Sequence, residues 1–298
     1  MQITASMVKE LRERTGSGMM ECKKALQETD GDIEVAIENM RKSGMAKADK
    51  KAGRVAAEGR VVIALSDDKK SAAVVEVNCE TDFVSGGDDF LSFVTAIANT
   101  ALSTQPDDVA ALSAATLDGD SISVEEARKA KIAKIGENIQ VRRFELLSTE
   151  NGSFGSYLHG ARMGVLVEME MNDKSAAGDD LIKDVAMHIA ASNPMCVSEE
   201  NVPADVLEKE KEILRAQALE SGKPADIVEK MLTGRIRKYL AEITLLGQSF
   251  VKDPDKTVET LLSDAGAKVN AFVRYEVGEG IEKKNENFAD EVMAQVNG

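Results

Sequence analysis

The chain has 298 residues, 43% of them hydrophobic and 4% aromatic, with a formal net charge of −15. Single hydrophobic cores rarely grow beyond roughly 150 to 250 residues, so two or three modules are expected. Surplus negative charge disfavours direct contact with a nucleic-acid backbone or an anionic membrane, which would be repelled over a Debye length of about 8 Å, and fits a protein partner better.

Met1 to Arg14 is charged and amphipathic rather than continuously apolar, and no stretch approaches the roughly 20 apolar residues of a membrane span. A cytoplasmic location is expected. Residues 1–45 read as a module of three short helices, carrying Val8 and Leu11, then Cys22, Ala25 and Leu26, then Ile33, Ala36, Ile37 and Met40 on their apolar faces. Thr15-Gly16-Ser17-Gly18 breaks the first helix, and Thr29-Asp30-Gly31-Asp32 supplies a turn with an Asp to cap the third. Met19 and Met20 open the second helix, where one packing inward and one facing a partner, or both in the core, stay open. Residues 46–58, with Lys47, Lys50, Lys51 and Arg54 among small side chains, lack the large apolar groups of a core and read as a partly helical linker.

A strand-like run, Ala73 to Val77, then ends in Asn78-Cys79-Glu80-Thr81-Asp82-Phe83-Val84, with an acid and an aromatic side by side before Gly86-Gly87. An approximate internal repeat aligns Val74 with Val165, Asp82 with Asp173, Asp88-Asp89 with Asp179-Asp180 and Val94 with Val185, each copy reading strand, loop, helix. Phe83 has no aromatic counterpart, so the fold does not need it and it is a candidate functional residue. The competing reading is that Phe83 caps its own core while Thr81 or Asp82 caps the next helix.

The first half of the core is assigned to residues 59–147 and the second to 148–197 and 239–282. Interrupting the second half, residues 198–238 read as an antiparallel helical hairpin, with Pro203 at the first helical position, Val206, Leu207, Ile213 and Leu214 on one helix, a Ser221-Gly222-Lys223-Pro224 turn, and Ile227, Val228, Met231 and Leu232 on the other. Its seam packs on itself alone, or pairs with a second copy or a partner; self-association through the core or the hairpin stays open. Val269, Ala271, Val273, Tyr275 and Val277 alternate along the last strand, and residues 283–298 form a tail. The fold class is α+β, with mainly antiparallel strands.

Catalytic chemistry is sparse. His159 and His188 are the only histidines, and His188, in Val185-Ala186-Met187-His188-Ile189-Ala190, reads as a helix histidine at the edge of a core. Cys22, Cys79 and Cys196 lack metal-ligand spacing and read as reduced thiols. No metal, cofactor or nucleotide site is expected: there is no phosphate loop, and Gly278-Glu279-Gly280 carries an acid where a phosphate wants amides.

The segment from Thr4 to Leu26, including Glu10-Leu11-Arg12-Glu13-Arg14-Thr15-Gly16 and Met19-Met20-Glu21-Cys22-Lys23-Lys24, resembles the opening signature of bacterial elongation factor Ts. Asn78 to Val84 resembles its second signature, and His159-Gly160-Ala161-Arg162-Met163-Gly164-Val165 and Arg274-Tyr275-Glu276-Val277-Gly278-Glu279-Gly280 continue the match in order. Ser17, Glu21, Met163 and Tyr275 depart mildly from the usual alanine, aspartate, isoleucine and phenylalanine. The resemblance implies a guanine-nucleotide exchange factor for elongation factor Tu without a catalytic site of its own. It further implies that the three-helix module is ubiquitin-associated-like and docks on the GTPase domain. Asp82 and Phe83 would intrude beside the partner's magnesium site, and His159 would touch its third domain. Partner-binding residues are then Arg12, Met19, Met20, Asp82, Phe83 and His159. The runner-up is a non-catalytic scaffold or chaperone-like subunit; an enzyme with a Cys-His pair ranks last.

Overall fold

The computed structural model describes residues 3–171, 176–219 and 225–282. In chain order the elements are α1 (Ala5–Thr15), α2 (Met19–Glu28), α3 (Ile33–Lys51), β1 (Glu58–Leu65), β2 (Ser71–Cys79), α4 (Asp82–Ser85), α5 (Asp88–Thr104), α6 (Val109–Ala114), α7 (Val124–Ile135), β3 (Ile139–Ser148), β4 (Ser153–His159), β5 (Met163–Met171), α8 (Ala176–Ser192), α9 (Ala204–Leu219), α10 (Ala225–Ile243), β6 (Ser249–Phe250), β7 (Asp253–Thr257), α11 (Val258–Asp264) and β8 (Ala267–Glu276). The sheets are ordered β1-β2-β3, β4-β5-β8 and β6-β7. The α+β expectation holds.

The described residues divide into two compact units, the first made of those up to 60, from 75 to 144 and from 277 to 282, the second of those within 61–74 and 145–276. In the first, α1 to α3 close over Val8, Leu11, Cys22, Ala25, Leu26 and Ala36. Thr4 caps α1 by accepting from the Met7 amide, and Asp32 caps α3 by accepting from Val35 at 3.0 Å, as expected of residues that satisfy free first-turn amides. Helix α3 runs on to Lys51, so the segment after residue 45 begins as helix. Its partner is α7, a helix without a clear apolar stripe, which Ser123 and Glu126 start with a reciprocal capping box. Arg41 to Glu126 at 2.5 Å and Lys129 to Asp49 at 3.0 Å join the two helices. Helix α5 buries Phe90, Phe93, Val94, Ile97, Ala98 and Ala101, and places Asp88 and Asp89 at its positive end.

In the second unit, β4, β5 and β8 form an antiparallel sheet, with a bulge at Glu168/Met169 that leaves Asn270 outside the register. Val165, Val167, Met169, Ile182, Val185 and Ile189 lead its core, so one face of the sheet is covered by α8. Close approach of α8 to β4 depends on the glycine at 155, where an added Cβ would lie 2.1 Å from Ile182 Cγ2. Ile182 is fully buried and has little room to retreat. Gly155→Ala is therefore expected to lower stability by about 1–3 kcal/mol through overpacking. Chemical denaturation checks this, and an unchanged midpoint would show that α8 shifts freely.

Helices α9 and α10 pack on each other, with Ala218, Val228 and Leu232 buried and Ile213 and Ile227 exposed. Pro203 sits just before α9, its carbonyl accepting from Leu207 at 3.1 Å. The expected turn at 221–224, the aligned Asp173 and the tail 283–298 lie outside the described residues.

Candidate functional site

Strand β2 delivers the acid-aromatic pair. It runs fully buried from Ala72 to Cys79, and the chain then turns out into the four-residue helix α4. Asp82 is exposed, and Phe83 is 91% exposed, the highest value of any large hydrophobic among the described residues. A benzyl group left in water forgoes roughly 1.5–3 kcal/mol of burial, so this placement serves no fold of its own. The reading in which Phe83 covers its own core is excluded. Its other half is met in part: Thr81 caps α4, its hydroxyl oxygen accepting from the Val84 amide at 3.4 Å.

The backbone on both sides of the pair is tied down. Thr81 donates its amide to Glu137 Oε2 at 3.0 Å and its hydroxyl to Glu137 Oε1 at 2.6 Å. Glu80 Oε1 accepts from the Asn138 amide at 2.6 Å, and Arg54 approaches the same oxygen at 3.5 Å. Arg60 Nε donates to the Ser85 carbonyl at the far end of α4. Asp82 itself has no hydrogen-bond or ion-pair partner for its carboxylate among the described residues.

Beneath the tip, Gly59 in β1 adopts φ +148°, where an added Cβ would stand 2.2 Å from the Val77 carbonyl oxygen. Asn78 Nδ2 donates to the Glu58 carbonyl and to Glu76 Oε1, both at 3.1 Å. Glu76 is fully buried in β2. Its Oε1 accepts from Arg142 at 3.0 Å and from the Gly278 amide at 2.8 Å, and its Oε2 accepts from Arg143 at 2.6 Å. Burial pushes the Glu76 carboxyl upward, but Gly278, Arg143, Arg142 and Asn78 together outweigh it and hold the group below the usual carboxylate range. The strand that carries the tip is thereby pinned to β3 and to the segment after β8.

Of the other sequence-predicted residues, Arg12 is exposed on α1, and Met19 and Met20 are 61% and 76% exposed on the first turn of α2. Neither methionine packs inward, which corrects both readings left open above. Gly18 starts α2, and the inward positions fall to Cys22, Ala25 and Leu26 one turn later. His159 ends β4, opposite Met163, exposed, with Nδ1 2.9 Å from the Tyr157 hydroxyl. It borders an apolar cleft lined by Tyr157, Met163, Met187 and Val251.

His188 lies fully inside the core rather than at its edge. The Val251 amide donates to its Nδ1 at 3.2 Å, which leaves Nε2 to donate to Gln248 Oε1 at 2.9 Å. That pattern fixes one neutral tautomer, and burial lowers the pKa against the opposing effect of the Gln248 hydrogen bond. Cys79 is buried and its thiol is pushed up to about 12, first by burial and then by the charge of Glu137. Among the described residues no three His, Cys, Asp or Glu side chains gather as a metal site, and no helix is long and apolar enough to cross a membrane.

Glu76 and Glu137 escaped the sequence reading. The only local signal for Glu76 is a lone acid inside an otherwise apolar strand, and Glu137 has only its place between a helix-ending glycine and a strand.

The family profile described as Elongation factor TS matches residues 80–279. The chain is 66% identical over 299 residues to the elongation factor Ts of Thioalkalivibrio sulfidiphilus, covering all of both chains. It is 62% identical over 296 residues to that of Methylococcus capsulatus, covering 99% of each. To that of Alkalilimnicola ehrlichii it is 59% identical over 298 residues, again with both chains covered throughout. The scaffold alternative finds no support in these likenesses. The chain belongs to the elongation factor Ts family.

Proposed function

We propose that this chain, a guanine-nucleotide exchange factor of translation elongation by its family, expels GDP from elongation factor Tu by pressing Asp82 and Phe83 beside the partner's magnesium and phosphate-binding region. The observation that carries this reading is the nearly complete exposure of Phe83 on a helix held at both ends. Phe83 pries at a switch-region helix, and Asp82, with no cation of its own, competes electrostatically with the magnesium ligands. Factor and nucleotide bind antagonistically, and by linkage each weakens the other by the same factor. A single ring supplies about one to two decades of affinity, so docking surfaces must hold it in place.

Arg12, Met19 and Met20 provide one such surface, where the unbranched thioethers adapt their shape to the GTPase domain. His159 provides another, against the third domain. The chain works without a catalytic site of its own, binds no nucleic acid directly, and acts in the cytoplasm. Release of labelled GDP from purified elongation factor Tu, with and without substoichiometric chain, tests the whole reading. If catalytic amounts leave the rate unchanged, it fails.

His159→Ala is expected to weaken the complex with nucleotide-free elongation factor Tu by roughly threefold to tenfold, the effect of losing about 1 kcal/mol of interface contact. Stability should not change, because the ring is exposed. Titration calorimetry checks it, and wild-type affinity would remove this contact.

A further inference from the structure

An exposed side chain has no packing of its own to aim it. With Phe83 91% exposed, its position follows the backbone of α4, and four residues make a helix too short to hold its own shape. Support comes from outside: at one end Arg60 holds the Ser85 carbonyl, and at the other a reciprocal pair of contacts joins residues 80–81 to residues 137–138. Within that pair Glu137 is the unusual member. Both of its oxygens bind the single residue Thr81, at 3.0 and 2.6 Å, and among the described residues it has no ion-pair partner. Its negative charge also bears on the buried Cys79. A carboxylate placed without a counter-ion on an already acidic chain is an unfavourable choice if stability alone is at stake, since exposed hydrogen bonds contribute little to folding.

We infer that Glu137 is a positioning residue for exchange: by gripping the amide and hydroxyl of Thr81 it fixes the entry to α4, so that the Phe83 ring reaches the partner in one orientation. This rests on the reading of Phe83 as the disrupting group. Charge-assisted hydrogen bonds suit the task because they are short and directional, and two of them to one residue fix both its backbone and its side chain. Loss of the grip leaves the docking surfaces intact and lets α4 sample orientations in which the ring does not seat. Turnover then falls while encounter does not, the signature of an interaction made only at the disrupting step.

The test compares wild type, Glu137→Ala, Phe83→Ala and the double variant by the steady-state rate of labelled GDP release at varied concentrations of elongation factor Tu·GDP. The expected result for Glu137→Ala is a kcat lowered about fivefold, with KM within about twofold of wild type and an unchanged thermal midpoint. Thr81→Val, which keeps the amide but removes both the hydroxyl bound to Glu137 and the cap on the Val84 amide, should lower kcat at least as far as Glu137→Ala. On the Phe83→Ala background, Glu137→Ala should have almost no further effect, because there is no ring left to aim. A wild-type kcat in Glu137→Ala beside an impaired Phe83→Ala would overturn the inference alone, as would a full Glu137 effect without the ring. A wild-type rate in Phe83→Ala would instead overturn the reading of the ring itself.

Discussion

Phe83→Ala is expected to lower the rate at which substoichiometric chain releases GDP from elongation factor Tu by about tenfold to a hundredfold, since burying a benzyl group contributes roughly 1.5–3 kcal/mol and 1.4 kcal/mol is a decade. The effect should fall on release and spare the fold. Truncating a ring that is 91% exposed removes almost no intramolecular contact, and surface substitutions of this kind usually stay within about 0.5 kcal/mol. The α4 backbone is held by Thr81, Ser85 and their partners rather than by the ring, so the loop should keep its course. Release of labelled GDP at matched thermal stability checks this. Wild-type rates would mean that docking surfaces alone displace the nucleotide.

Glu76→Ala is expected to be the most damaging single change to stability in the first unit, at about 3 kcal/mol, the low end of the cost of breaking a buried ion pair. The low end applies because Arg142 and Arg143 keep partial access to water and can be solvated when their partner goes. The Gly278 amide and Asn78 Nδ2 would lose an acceptor as well. For a domain of this size the loss lowers the midpoint of thermal unfolding by roughly 6–12 °C. The pH dependence has a defined sign. Glu76 is held below its ordinary pKa in the folded chain, so its contribution is complete above the usual glutamate value of about 4.3 and is lost as pH falls through the lowered folded value. The gap between wild type and variant should therefore be widest near neutrality and narrow under acid. A gap that persisted undiminished below pH 3 or so would show that the charge is not what matters there.

Much of the architecture was legible because it is written in local pattern. The apolar faces of α1 and α2 and the glycines and capping residues between the first helices all lie within a few residues of what they specify. The single apolar face read along β8 is corrected at its start: the bulge at Glu168/Met169 sets Val269 beside Met169 in the core with Val167 and Phe272, whereas Val273 and Tyr275 pair with Leu166 and Gly164 on the other face. Helix α7 was not legible, since its buried residues Val124, Ala127 and Ile132 are scattered among charged ones and form no clear stripe, although the Ser123–Glu126 capping box announces its start. The β6-β7 hairpin was missed as well, because Asp253 to Lys256 is exposed and made of residues that strands disfavour, which leaves Thr257 as the one branched residue of β7. At the tip, the absence of a second Phe in the repeat pointed to position 83, and its exposure accords with that reasoning. The residues that support the tip could not be found the same way. Glu137 meets Thr81 across 56 residues of sequence and Glu76 meets the Gly278 amide across 202, and no local pattern encodes such pairings. The methionines show the opposite failure: apolar residues at the start of an amphipathic helix look like core until the direction of the first turn is known.

The two-ended tether on α4 has a consequence for the rhythm of repeated turnover. Ordering a flexible loop at an interface opposes association each time the complex forms. Here the relevant freedom disappears once, as the chain leaves the unfolded ensemble, and is not surrendered again in later cycles. One molecule can thus visit many GTPases in succession, each time presenting a surface that was finished before they met.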